Sequence, residues 1–156
     1  PTISAINAFQ QFLDFFPDSD LRIKAQDKLF ELQDKLVMKE YLSAKLYYDL
    51  GTYTGNASYT ADLRINGNNF LACITTAQNA LKDYPYTSMR EDLSILLLRA
   101  KHKLGSESVL EKKEERMRET IDEYYAFKNE FPESKYMKEV EAIYKDASKY
   151  VKELNE

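Results

Sequence analysis

Every proline after Pro1 sits in the same short phrase. It reads Phe16-Pro17-Asp18-Ser19 first, then Tyr84-Pro85-Tyr86-Thr87, then Phe131-Pro132-Glu133-Ser134. Proline has no N–H to donate and pushes the residue before it out of helical conformation, so each phrase ends one helix. The hydroxyl two residues on, at Ser19, Thr87 or Ser134, is suited to cap the next helix by accepting from an orphaned amide. The preceding aromatic is placed to fasten the joint. A chain punctuated three times in this way is constrained to helix–turn–helix units.

The rest of the sequence agrees. Apolar residues recur at helical spacing, as in Ile6, Phe9, Leu13 and Phe16, or Leu93, Leu97, Ala100 and Leu104. The periodicity predicts seven amphipathic helices, over about 3–16, 20–37, 39–50, 69–84, 88–104, 110–131 and 135–154. Only four glycines accompany them, which favours helix over a turn-rich β fold. The similarity extends beyond the joints. Eight residues before each proline stand Phe9, Ala77 and Tyr124, eight after it Ala25, Leu93 and Val140, and twelve after it Leu29, Leu97 and Tyr144. Repeated hairpins of this kind cannot bury an apolar face singly and must stack. The expected fold is therefore all-α, one solenoid domain over 1–156 built of antiparallel helices. The last two helices, about 110–154, form its capping hairpin.

The spacing is similar to that of tetratricopeptide repeats. "LYYDLGTY" at 46–53 followed by "ACITTAQNALKDYP" at 72–85 supplies Gly51, Tyr53, Ala72, Ala80 and Pro85 in the order of that pattern. Gly51 and Pro85 are 34 positions apart, whereas the pattern places about 24 between these landmarks. The excess falls on "TGNASYTADLRINGN", rich in turn-forming Gly and Asn, and is expected to be an insert loop at about 54–68.

Taken in succession, "AFQQFLDFFPDSDLRIKAQDKLFELQDKL", "KEYLSAKLYYDLGTY", "AQNALKDYPYTSMREDL" and "YYAFKNEFPESKY" resemble the C-terminal half of the BamD/ComL family of outer-membrane assembly lipoproteins. The resemblance implies a tetratricopeptide right-handed superhelix at the periplasmic face of the bacterial outer membrane. It implies an anchor through a lipidated cysteine that precedes the residues present here, and no other membrane contact. Implied partners are the POTRA region of BamA, other lipoproteins of the assembly complex, and unfolded outer-membrane protein segments. In the family a basic residue before the helix-turn glycine belongs to the BamA dock, and the matching position here is Leu50, before Gly51, so that salt bridge does not carry over. A different periplasmic tetratricopeptide adaptor of cell-envelope complexes would share these helices, and an enzyme subunit with a groove active site is a more distant alternative.

The residues give catalysis and cofactors little support. The net charge of −4 supplies no electrostatic reason for nucleic-acid binding. His102 is the only histidine and Cys73 the only cysteine. The expectation is a surface histidine, a buried thiol and no metal site. Nucleotide-cradling glycine patterns and nucleophile elbows are absent from the sequence, so no cofactor and no catalytic residue is assigned. Glu111, Glu114, Glu115 and Glu119 lie among Lys112, Lys113, Arg116 and Arg118, the pattern of a solvated, ion-paired helix face. The twelve tyrosines stand out beside a complete lack of tryptophan. Tyr84, Tyr124, Tyr144 and Tyr150 fall on apolar stripes and are assigned to packing. Tyr47, Tyr48, Tyr53 and Tyr59 cluster beside the insert, and with Leu50 and Gly51 they form the candidate partner-binding site.

Overall fold

A computed structural model of the protein describes residues 1–52 and 68–152. Six helices occur among them: α1 Thr2–Phe15, α2 Arg22–Leu50, α3 Asn69–Asp83, α4 Arg90–Ser106, α5 Leu110–Glu130 and α6 Met137–Ser148. No strand is present among the described residues. Successive helices pack against each other along the whole series, and α4 also touches both α2 and α6.

The three proline phrases adopt one conformation. Phe16, Tyr84 and Phe131 close their helices with φ near −128° and ψ near 60° (−129/59, −128/65 and −126/60). Each donates its N–H to the carbonyl four residues back, in Phe12, Ala80 and Phe127. Each carbonyl then accepts from the amide of the hydroxyl residue, Ser19, Thr87 or Ser134, at 3.1 Å. The hydroxyl oxygens accept from Leu21, Met89 and Tyr136 N–H at 3.2, 3.2 and 3.1 Å. They cap a tight turn that leads into the helix, so the α-helices themselves begin three residues later, at Arg22, Arg90 and Met137. In the first and third joints the aromatic also meets a phenylalanine one turn back, at 5.5 Å for Phe12–Phe16 and 5.2 Å for Phe127–Phe131.

Burial repeats at most of the equivalent apolar positions, although Phe9 and Tyr144 are only half-buried. Ala25, Leu93 and Val140 are all buried, as are Ala77 and Tyr124 eight residues before their prolines. The main core lies where α2, α3 and α4 meet, through Val37, Ala44, Cys73, Ala77, Leu93 and Leu97. Ile95 and Leu98 on the other side of α4 pack with Tyr124, Phe127, Val140 and Ile143. Apolar residues thus occupy both sides of α4, and a side chain as fully enclosed as Leu98 contributes about 2 kcal/mol. Gly105, near the end of α4, lets α5 come close: a Cβ there would lie 3.0 Å from Met117 Sδ.

Two sequence expectations change. The segments 20–37 and 39–50 are one continuous helix of 29 residues, because Met38-Lys39-Glu40 contains nothing that breaks a helix. The predicted last helix ends at Ser148 rather than 154. Tyr150 N–H returns to Ala147 O at 3.1 Å, and the turn drives Val151, 1% exposed, into a small core with Met117, Ile121 and Ala147. Tyr150, assigned to packing, is left 41% exposed with Lys113 Nζ 5.2 Å from its ring centre. The predicted insert lies outside the described residues except for Asn68, whose side chain caps α3 by accepting from Phe70 N–H at 3.0 Å.

Candidate functional site

The end of α2 gathers four of the six candidate residues. Gly51 stops the helix with φ 56° and ψ −116°, a left-handed backbone that side chains other than glycine's rarely adopt. Its N–H donates to Tyr47 O and its carbonyl accepts from Asn69 N–H, both at 3.0 Å. This bond ties the end of α2 to the beginning of α3. A Cβ on Gly51 would stand 3.1 Å from the Phe70 ring, so the turn needs glycine for space as well as for conformation.

Tyr48 and Tyr47 part company. Tyr48 turns inward, edge-on to Phe70 at 5.6 Å between ring centres, and packs against the main core. Burial raises its phenol above the ordinary tyrosine range, while the charges of Arg99 and Glu139 act on it in opposite directions. Tyr47 and Leu50 point outward, 36% and 37% exposed. The candidate surface at this end is therefore Tyr47 and Leu50 around a rigid glycine turn. Tyr53 and Tyr59 lie outside the described residues.

Arg99, to which the sequence patterns assign no role, connects this region to the last hairpin. Its guanidinium grips Glu139 with two parallel bonds of 2.6 and 2.7 Å and lies 5.2 Å from the Tyr136 ring centre. The fork geometry fixes orientation as well as distance. The hydrogen bonds from Arg99 hold the Glu139 carboxyl below the usual glutamate range. The same logic recurs nearby: Arg90 grips Glu130, Lys101 pairs with Glu123 at 2.8 Å and Lys128 with Glu141 at 2.9 Å. Long-range ion pairs are visible in sequence only as ordinary helix charges, so no local signal could have found them.

The residues with chemical potential are engaged in packing. Cys73 is fully buried, and burial pushes its thiol up to about 12, far from the thiolate a nucleophile needs. His102 is not the surface histidine expected. Its side chain is 20% exposed and Nε2 lies 2.7 Å from Asp146 Oδ2, joining α4 to α6. The acidic and basic run of α5 does face solvent, with Lys112–Glu115 at 3.4 Å and Arg118–Glu114 at 3.3 Å. Among the described residues no three His, Cys, Asp or Glu side chains stand close enough to share a metal ion. No helix of the described residues is long and apolar enough to cross a membrane. Every buried side-chain nitrogen and oxygen among the described residues has a hydrogen-bond partner, the condition of a packed scaffold.

A large apolar concavity lies elsewhere. It opens between α1 and α2, has a volume of about 640 Å³, and is walled by Phe9, Phe12, Leu21 and Ala25 with Lys24 and Lys28 at its rim. A second, more polar groove of about 320 Å³ runs between α1, α2 and the Pro85 joint, with Gln10, Gln26 and Gln33 beside Phe30 and Tyr86. Both grooves are lined by residues of α1 and α2. Neither a scan against protein-family models nor a search of curated proteins returns a match to this chain.

Proposed function

We propose that the protein is a non-catalytic scaffold of tetratricopeptide-like hairpins, resembling the BamA-docking half of the BamD/ComL family and serving the assembly of β-barrel proteins into the outer membrane. The observation that carries this reading is the joint that occurs three times with the same backbone angles, at Phe16, Tyr84 and Phe131. Like joints turn the chain in like manner between helices of different lengths, and hairpins whose alternate helices touch support the reading of a continuous surface for partners. The end of α2 suits a docking edge. Gly51 fixes the backbone there, and Tyr47 and Leu50 offer an aromatic and an aliphatic contact in place of the family's basic residue.

In this proposal the protein works at the periplasmic face of the outer membrane, where the full-length protein carries a lipid anchor. Its contacts are the POTRA region of BamA, fellow lipoproteins, and unfolded outer-membrane protein segments. The test is a calorimetric titration of the chain against the folded POTRA segment of BamA from the same source. Binding that weakens in Leu50→Asp supports the reading. Absence of binding at high micromolar concentrations with both partners folded overturns it.

A further inference from the structure

The groove between α1 and α2 is the counterpart of two surfaces that the protein covers. Twelve, eight and five residues before each proline stand Ala5, Phe9 and Phe12 in the first unit, Cys73, Ala77 and Ala80 in the second, and Thr120, Tyr124 and Phe127 in the third. In the second and third units all of these are buried. In the first, Ala5, Phe9 and Phe12 are only half-buried and wall the groove. The two buried sets also show what does the covering. Val37 and Ala44 of α2 share a core with Cys73, Ala77 and Ala80, with Tyr41 and Tyr48 packed against it. Ile95 and Leu98 of α4 share one with Tyr124 and Phe127. Each covered surface thus receives the second helix of the hairpin before it, whereas α1, which packs on α2, keeps every residue at least partly exposed.

The floor of the groove keeps the apolar character of the covered surfaces, but its edge does not. Seven residues after the proline the covered units carry Asp92 and Glu139, and Arg99 of the covering helix grips Glu139. The first unit has Lys24 there, exposed and without an ion pair among the described residues. Eleven residues after the proline, buried Leu96 and Ile143 give way to Lys28, which is exposed and 3.0 Å from Glu31. A helix that brought an arginine to this edge, as α4 does, would meet like charge at Lys24. So would a second copy stacked end to end, because α6, the counterpart of α2 and α4, exposes Lys138, Lys145 and Lys149. The reversed edge selects a carboxylate, and a charged, wet rim around an apolar floor belongs to a reversible contact.

We infer that the α1–α2 groove docks an amphipathic helix of a partner protein, one that presents small or branched apolar residues to Phe9 and Phe12 and an Asp or Glu to Lys24. α1 is 14 residues long, so the contact runs roughly 21 Å at 1.5 Å per residue. The occupant then needs apolar residues at steps of four, three and four, the spacing of Val37, Tyr41, Ala44 and Tyr48 on α2. Leu21, 55% exposed at the groove, adds apolar surface for it to cover. The groove lies at the opposite end of α2 from the Gly51 turn, so docking there is independent of binding to BamA.

The probe is a synthetic helical peptide with Val, Tyr, Ala and Tyr at that spacing and glutamates along one flank of the stripe; a twin carries lysines instead. Titrated into the chain and followed by NMR chemical shifts, the glutamate peptide should saturate and perturb Ala5, Ala8 and Ala25. Lys24→Glu should lower its affinity about tenfold and raise that of the lysine peptide. Ala8→Glu, at an exposed position in the groove wall, should abolish binding of the glutamate peptide. Circular dichroism and melting temperature check that both variants fold. No saturation by about 1 mM, shifts confined to other helices, or an affinity unchanged in both variants overturns the inference. So does a dimer of the chain in sedimentation equilibrium that Ala8→Glu dissociates, which would make a second copy the occupant.

Discussion

Asp34 of α2 accepts a hydrogen bond from the hydroxyl of Thr87, 53 positions away, at 2.6 Å. The same carboxylate accepts from Ser88 through its hydroxyl at 2.7 Å and its amide at 3.3 Å. One acidic side chain thus holds both hydroxyls of the joint between α3 and α4, while Thr87 simultaneously accepts from Met89 N–H. Removing it in Asp34→Ala leaves Thr87, 9% exposed, without its acceptor and should cost about 1–3 kcal/mol, read from urea unfolding.

The same contact sets a pH dependence. Burial raises the Asp34 carboxyl, and the hydrogen bonds from Thr87 and Ser88 outweigh it, leaving the group below the ordinary aspartate value. Glu130 and Glu139 are likewise lowered, by their hydrogen bonds with Arg90 and Arg99. A carboxyl whose folded pKa lies below its unfolded one stabilises fully above the unfolded value, about 4, and loses that contribution as pH falls through the folded value. Unfolding free energy should therefore be level near neutrality and fall below about pH 4. Asp34→Asn should show a shallower fall over that acidic range. An equal slope in the variant would remove Asp34 from the account.

Gly51 makes a sharper claim. Its φ of 56° strains any other residue, and the Phe70 ring, 3.1 Å from where a Cβ would stand, closes the space. Gly51→Ala should cost about 1–3 kcal/mol. Part of that loss is steric and part conformational, so adding Phe70→Leu to Gly51→Ala should cost less than the two single changes summed. Chemical denaturation of the four proteins gives the coupling directly.

Cys73 offers a probe that needs no mutation. With the thiol fully buried and raised to about 12, a thiol reagent at pH 8 should react only as fast as the core opens. The rate should rise with urea in parallel with unfolding and reach that of a free thiol in the unfolded chain. Rapid labelling under native conditions would contradict the packing of α3 between α2 and α4.

The joints were legible because their causes are local. Proline's missing donor, the hydroxyl cap and the aromatic that closes the helix all act within a few residues, and three copies gave three equal structures. The continuity of α2 was not legible, for a reason visible in its side chains. Ala25 and Leu29 are buried toward α1, whereas Val37 and Ala44 enter the core with α3 and α4. The buried stripe changes sides along the helix, and in sequence a change of phase looks like a break. The candidate site was legible at Gly51, where one glycine must meet a conformational demand. The different fates of Tyr47 and Tyr48 were not, since adjacent residues on a helix point about 100° apart and only the position of Phe70 decides which is covered. The pairs Asp34–Thr87 and Arg99–Glu139 belong to tertiary structure and leave no local trace.

Arg99 and Glu139 give the last test, because they join α4 to the final hairpin through two parallel bonds. Their side chains are 31% and 41% exposed, so solvent screens the pair and a double-mutant cycle with Arg99→Ala and Glu139→Ala should give a coupling of only about 1 kcal/mol. Arg99→Lys keeps the charge but not the fork, and should lose most of that coupling. If the ion pair acts through geometry, the loss in Arg99→Lys should persist in high salt, whereas a contribution from charge alone would survive the substitution and fade as salt is added.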